Sequence, residues 1–447
     1  MHTAINMVYG KQKLNKKVKA PLYEGALKIK LTNTNKSFII ILVKFMERQI
    51  LHVDVNNAFL SWLAVNMLEK GSNIDIRTIP SIIGGDEEAR KGIVLAKSMK
   101  AKECGIVTGE PIYQAKRKCP GLQIYRSDFK VFKKYSDELY NMLLEYTDKI
   151  ERFSIDECFM DMTEYLIKDT LLNKAKEINK RVKSELGFTV NIGVAHNKLL
   201  AKMASDFTKP DRIHTLYNEE IPTKMWTLPI SELFMIGRKT VPKLHNMGIK
   251  TIGDLAHTDR NLLIKKFGKQ GNTMWEYSNG IDNSEVNYQY ERPKCIGNEI
   301  TLPEDICNIS KLEEILLALA EQVSYRLRKS NLLANSVSVH LKTKEFINTS
   351  HQGKLELTTS NTKTIYKKAK QLLNEMYKAG TFIRLIGLRV DNLVETDEVQ
   401  LSLFDNENKE KNEKLNSVID ELKDRYGYNS VTLAGKMNVG DYIKFKE

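Results

Sequence analysis

Ile50-Leu51-His52-Val53-Asp54-Val55-Asn56-Asn57-Ala58-Phe59 and, about a hundred residues on, Ser154-Ile155-Asp156-Glu157-Cys158-Phe159-Met160-Asp161 are the two stretches on which the reading of this chain turns. The first opens as a mostly apolar run of strand length, the pattern of a buried strand. Asp54 lies inside it, and an unpaired carboxylate in such a place is costly. It needs a metal, a cation or several hydrogen-bond donors. In the second stretch Asp156 and Glu157 interrupt a strand pattern that runs over 151–162. Adjacent side chains of a flat strand point to opposite faces. The two acids converge on one site only at a turn, so the pattern predicts a hairpin with its apex there. A hairpin bearing two acids beside a strand bearing a third suits a pair of divalent cations. Such a pair, about 3.5–4 Å apart, clamps the attacking and leaving oxygens of an in-line phosphoryl displacement. Hard oxygen ligands with coordination positions left over suit Mg²⁺. Taken singly, each acid reads as an ion pair with a nearby Lys or Arg. Three in core-strand contexts favour the metal reading.

The neighbouring elements follow from periodicity. Residues 57–69 have helical spacing and end at Gly71. Residues 131–150 are predicted as an amphipathic helix, with Phe132, Tyr135, Leu139, Leu143 and Tyr146 on one face. A helix over 171–186 is closed by Gly187, a strand spans 188–195, and a helix over 197–207 stops at Lys209-Pro210. Strand and helix alternate from 150 to 208, which implies an α/β layer. Residues 80–92 read as a loop. Short helices with glycine punctuation fill 230–280, and 285–297 read as a polar linker. Helix (312–329), strand (336–342), helix (362–379) and strand (382–390) then give an α+β texture. Residues 396–415 are charged, polar and flexible by composition, and 416–447 end in a short helix and a basic tail. No internal repeat is visible.

The chain has 447 residues, 42% of them hydrophobic and 28% charged, ordinary values for a folded multidomain protein. The longest aliphatic run, Ile39-Ile40-Ile41-Leu42-Val43, is far short of the roughly 20 residues that span a bilayer. An integral membrane protein is excluded. The net charge of +13 points to a polyanion partner. Residues 1–45, however, hold nine Lys and one Glu, so they supply most of that excess. They look foreign to the rest of the chain, a basic extension that is disordered or not native, with Met46 as the alternative start. The five cysteines form no CxxC pair, which argues against a disulfide framework or structural zinc and for a reducing cytoplasmic setting. No secretory signal is apparent.

At this point the two acidic stretches resemble the Y-family of translesion DNA polymerases, the impB/mucB/samB type that includes bacterial DNA polymerase IV and UmuC-like enzymes. Gly193-Val194-Ala195-His196-Asn197-Lys198-Leu199-Leu200-Ala201-Lys202-Met203-Ala204-Ser205-Asp206 with Lys209-Pro210 is similar to the family's second palm motif. Phe267-Gly268-Lys269-Gln270-Gly271, Trp275-Glu276 and Gly280-Ile281-Asp282 resemble its thumb. The resemblance runs collinearly over 48–404. It implies a multidomain α+β and α/β architecture shaped as a right hand. The palm would be ferredoxin-like (46–70 and 129–216), the fingers small (71–128), and the thumb helical with a helix-hairpin-helix (217–285). A linker (286–297), a little finger (298–395) and a tail (396–447) would follow.

Residue by residue, the resemblance makes Asp54, Asp156 and Glu157 the catalytic metal ligands, with Val55 lending a backbone carbonyl. Two Mg²⁺ ions are implied, with Mn²⁺ as a substitute. Phe59 falls at the steric gate against a ribose 2′-OH, after Ala58 where an aromatic is usual. Lys209 is the palm lysine of the triphosphate. Lys102 stands where the fingers carry an Arg, keeping charge without the bidentate fork. Met99 replaces a Tyr and cannot donate a hydrogen bond. Ile93 and Leu95 roof the nascent base pair with more bulk than usual. Met235-Ile236-Gly237 resembles a hairpin turn that offers N–H groups to a DNA phosphate. In the little finger Arg326, Arg328, Lys329, Lys342, Lys344 and Arg384 are candidates for phosphate contact. Gln400-Leu401-Ser402-Leu403-Phe404 looks like a sliding-clamp motif, with Gln400, Leu401, Leu403 and Phe404 as its binding residues, in which Leu403 and Phe404 fill an apolar pocket and Gln400 anchors polar groups.

The implied activity is error-prone, DNA-template-directed DNA synthesis past damaged bases, without a proofreading exonuclease and within an SOS-type damage response. Implied partners are primer-template DNA, dNTPs and the bacterial beta sliding clamp. The protein would be a cytoplasmic, nucleoid-associated monomer. Two rivals remain. Gly84-Gly85-Asp86-Glu87-Glu88 resembles a diguanylate cyclase signature but lacks its final Phe. A DNA-binding accessory factor without chemistry would be expected to have lost a metal ligand, and none is lost.

Overall fold

The computed structural model describes residues 28–34, 37–43, 47–85, 92–166, 170–289, 292–395, 407–428 and 430–431. Its central sheet has five strands, in the order Ile213–Thr215, Val190–Ala195, Ile50–Val55, Glu157–Asp161 and Ile150–Arg152. The last four are mutually antiparallel, and Ile213–Thr215 adds a parallel edge. In chain order they run strand, helix, hairpin, helix, strand, which is the ferredoxin-like arrangement expected of the palm.

Ile50–Val55 is buried along its whole length because both faces are covered. Leu51, Val53 and Val55 pack into a core with the helices Ala58–Glu69 and Phe129–Leu144. Ile50 belongs instead to the core that includes the helix Lys198–Asp206. That helix lies very close to the sheet. A Cβ on Gly193 would stand 1.8 Å from the Ala201 carbonyl oxygen.

The helix predicted over 131–150 runs from Phe129 to Leu144. Thr147 ends the pattern: its hydroxyl donates to the Asp161 carbonyl and accepts from the Lys149 N–H. Ile150 then joins the sheet, while Tyr146 still packs on the core and keeps the helical spacing alive in the sequence.

The segment between the first two palm helices forms a three-stranded sheet. Ser81–Gly84 lies centrally, antiparallel to Val94–Lys97 and parallel to Gln123–Arg126. Ser81–Gly84 falls where the sequence reads as a loop. Its Pro80 and Gly85 flanks mask two fully buried isoleucines, Ile82 and Ile83. Beyond the palm come four short helices, Val241–His245, Ile252–Ala256, Arg260–Phe267 and Lys269–Ser278.

Next comes an antiparallel sheet ordered Cys295–Ile306, Ile383–Glu395, Leu332–Thr343, Asn348–Thr359. The helices Ile309–Lys329 and Thr362–Met376 share its core. The sheet starts inside the stretch read as linker. It also includes Asn348–Thr359, a mostly exposed, largely polar edge strand in which only Leu355 is buried. In the N-terminal extension, Lys28–Thr34 and Ser37–Val43 pair as an antiparallel hairpin.

A C-terminal helix, Glu407–Tyr426, starts earlier than the composition suggests and docks on the Ile309–Lys329 helix. Lys423 Nζ meets Glu321 Oε1 at 2.5 Å with both side chains buried, and Asp420 accepts two bonds from Arg328 at 2.6 and 2.8 Å. Lys423→Met would leave Glu321 facing an apolar group, and breaking one side of a buried pair costs about 3–5 kcal/mol. Limited trypsin digestion should then cut within 407–426 well before the rest of the chain. Adding Glu321→Leu should restore protection.

Candidate active site

Asp54 and Glu157 are partners in register across neighbouring antiparallel strands. The sheet therefore brings together two acids about a hundred residues apart in sequence. Asp156 occupies the turn of the hairpin as predicted, and its carbonyl accepts the Val55 N–H at 3.0 Å. Its carboxylate is engaged within its own turn. Oδ1 accepts a 2.5 Å bond from the Ser154 hydroxyl. Among the described residues, no three His, Cys, Asp or Glu side chains are gathered tightly enough to hold a metal ion as they stand.

Cations fill the space between the acids. Lys209 Nζ lies 2.8 Å from Asp54 Oδ2 and 2.9 Å from Asp206 Oδ1. Lys202 Nζ lies 3.5, 3.2 and 3.1 Å from Asp54, Glu157 and Asp206. Burial raises the Asp54 carboxyl above the usual range, against the opposing pull of Lys209 and Lys202. Burial would raise Glu157 too, but the His52 contact and the Lys202 charge outweigh it and hold that carboxyl down to about 2. For Lys202 and Lys209 burial works against the charge, and the surrounding carboxylates more than offset it, so both are raised. Buried His52 is lowered. Its ring stands 3.3 Å from Glu157 Oε2 and 2.8 Å from Ser205 Oγ.

These residues fit a divalent cation. The donors are hard oxygens, two of them already share one ammonium, and Glu157 Oε2 is buried without a well-formed hydrogen bond.

Asn191 sets the position of Lys209. It is fully buried, donates to the Ser205 and Thr208 carbonyls at 2.9 and 2.7 Å, and accepts the Arg212 N–H. The loop bearing Lys209 is thereby stitched to the strand Val190–Ala195. Phe59 is half-buried, its ring 4.6 Å from Phe132. Lys102 is exposed on the short helix Met99–Glu103. Burial, and then the charge of Lys102, lowers the nearby Lys97 ammonium, so two cations crowd this part of the fingers. Exposed Met235 adopts φ 72°, the left-handed conformation that a glycine would take more easily.

Sequence reasoning did not find His52, Asn191, Lys202, Ser205 or Asp206 as site residues. The available signal was polarity out of place: His52 and Asn191 inside apolar strands, Lys202 amid the apolar positions of its helix. Of the little-finger basic residues, Arg328 is held by Asp420, Lys329 by Asp424 and Arg326 by the Gly297 carbonyl. Those three serve internal contacts. The motif at Gln400, Leu401, Leu403 and Phe404 lies outside the described residues, as does Asp86-Glu87-Glu88. Among the described residues, no helix is long and apolar enough to cross a membrane.

The family model described as impB/mucB/samB family matches residues 53–206, and that of its C-terminal domain matches 293–403. A model described as DNA polymerase-iota, thumb domain, matches 232–282. A DNA polymerase IV of Clostridium acetobutylicum is 47% identical over 386 residues, covering 86% of this chain and 97% of the relative. One from Acetivibrio thermocellus is 38% identical over 395 residues, covering 86% and 96%. A solved Y-family DNA polymerase chimera superposes with a TM-score of 0.69 at 23% identity, covering 78% of this chain and all of that one. At that identity the likeness speaks for the fold.

Proposed function

This chain belongs to the impB/mucB/samB family of Y-family, DNA-directed DNA polymerases, and on that premise we propose that it performs error-prone translesion synthesis at the Asp54–Glu157 cluster. The observation that carries the reading is the register pairing of these two acids, with Asp156 in the adjoining turn and two lysines between carboxylates. The family uses divalent metal ions; here two Mg²⁺, replaceable by Mn²⁺, would be held by Asp54, Asp156, Glu157 and the Val55 carbonyl. Bound there, they supply the charge that stabilises an in-line displacement at a phosphoryl group.

The chain's own residues do the rest. Lys209, steadied by Asp206, grips the triphosphate of the incoming dNTP, and Lys102 adds charge from the fingers. Phe59, backed by Phe132, closes the space that a ribose 2′-OH would need. Catalysis is then positioning of the primer 3′-OH against the α-phosphate plus charge stabilisation. The little finger grips primer-template DNA. Gln400, Leu401, Leu403 and Phe404 recruit the bacterial beta sliding clamp, in an SOS-type damage response at the nucleoid. The division into palm, fingers, thumb, linker, little finger and tail keeps the boundaries that the resemblance implies, with the little-finger sheet reaching back to Cys295.

Primer extension on an abasic template, with and without the clamp, tests this. The wild type should extend past the lesion and Asp156→Ala should not. Deleting 400–404 should remove clamp stimulation and leave unassisted synthesis intact. Failure of the wild type to incorporate any dNTP would overturn the proposal.

A further inference from the structure

His52 is fully buried at the heart of this cluster, and nothing in the proposed chemistry uses it. It stands two residues before Asp54 on one strand, so both side chains face the Lys198–Asp206 helix. Nδ1 lies 2.8 Å from Ser205 Oγ and Nε2 3.3 Å from Glu157 Oε2. The Phe159 ring leans on the imidazole, centroids 4.5 Å apart. Three contacts thus hold the ring.

His52 Nε2 and Glu157 Oε2 are both buried, and neither makes a hydrogen bond of good geometry, their own 3.3 Å contact included; Oε2 also has the Lys202 ammonium 3.2 Å away. Leaving the buried ring nitrogen unpaired is costly. A carboxylate oxygen can only accept, so the two satisfy each other only if Nε2 carries the hydrogen. Nδ1 must then accept, and the Ser205 hydroxyl is the donor within reach. That hydroxyl also has the Lys202 carbonyl 2.8 Å away, so one proton chooses between its own helix and the imidazole.

We propose that His52 is a positioning residue for the metal-binding carboxylates, a relay in which Ser205 fixes the ring tautomer and His52 Nε2–H aims Glu157 Oε2. This rests on the metal reading of Asp54 and Glu157. Partners of this outer kind orient the ligand they touch, and losing one typically costs 10–100-fold in metal affinity.

Two polar replacements separate positioning from packing. The glutamine of His52→Gln reaches where Nε2 stood; the asparagine of His52→Asn reaches only toward Ser205. Mn²⁺ binding to the full chain without DNA, followed by electron paramagnetic resonance, is the first readout. His52→Asn should weaken Mn²⁺ binding about 10–100-fold, and His52→Gln should restore most of it. Steady-state kinetics should show kcat falling in His52→Asn with the dNTP KM little changed. Ser205→Ala should fall between. If both His52 variants bind Mn²⁺ like the wild type, or lose it equally, the relay is overturned. If the wild type binds Mn²⁺ no better than Asp54→Asn, the metal reading beneath it fails instead.

Discussion

Asp54→Asn should abolish primer extension while leaving the folded protein as stable as before or more so. Asp54 is 6% exposed, and burial raises its carboxyl pKa. A carboxyl whose folded pKa lies above its unfolded value disfavours folding when ionised, and that cost fades only as pH falls through the folded value. Asparagine removes the cost at neutral pH. Lys209 and Lys202 keep Asp206 and Glu157 as counterions. Activity should move the other way, by about two to three orders of magnitude or more, the scale of losing one pre-organised charge-stabilising group. Primer extension and thermal unfolding at pH 7.5 measure both. Near-normal extension by Asp54→Asn would remove Asp54 from the mechanism.

Gly193→Val should be lost for the opposite reason, through the fold. The first atom of any side chain at 193 meets the Ala201 carbonyl at 1.8 Å and the Ser205 nitrogen at 2.7 Å. Both are backbone, so no rotamer change relieves the contact. Overpacking against movable side chains costs about 1–3 kcal/mol, and backbone overlap should exceed that. The helix that must move carries Lys202, Ser205 and Asp206. Even soluble, folded protein should therefore show lost activity, with the midpoint of thermal unfolding depressed by many degrees. A variant with unchanged melting and full activity would contradict the packing described.

The strand bearing Asp54 and the hairpin at Asp156-Glu157 were legible in the sequence because a charge inside an apolar run must be answered by something. Of the partners that answer it, only Lys209 was named from the sequence, and that through the resemblance and not through any pattern of its own. Lys202 sits on a helix, where a lysine ordinarily faces water; only the surrounding Leu199, Met203 and Ala204 mark its face as buried. His52 precedes Asp54 in an apolar run and passes for one more strand residue. Asn191 works through the Ser205 and Thr208 carbonyls, a whole helix further along the chain, which no spacing announces. Ser81–Gly84 was hidden by its punctuation, and Asn348–Thr359 by its polarity. Each of these depends on a neighbour distant in sequence.

Lys209 bridges Asp54 and Asp206 through a single ammonium group, and the same group is the one proposed to hold a triphosphate. One cation cannot serve every anion at full strength. With a divalent ion held at Asp54, Lys209 would be free to turn toward the nucleotide, and with Lys209 drawn to a nucleotide, Asp54 would keep only the longer 3.5 Å contact with Lys202. On the proposed roles the two ligands would be linked, and linkage is reciprocal: whatever factor the metal lent to nucleotide affinity, the nucleotide would return to the metal. Asp206, 2.9 Å from the same ammonium, would set the size of that factor by holding Lys209 near the site.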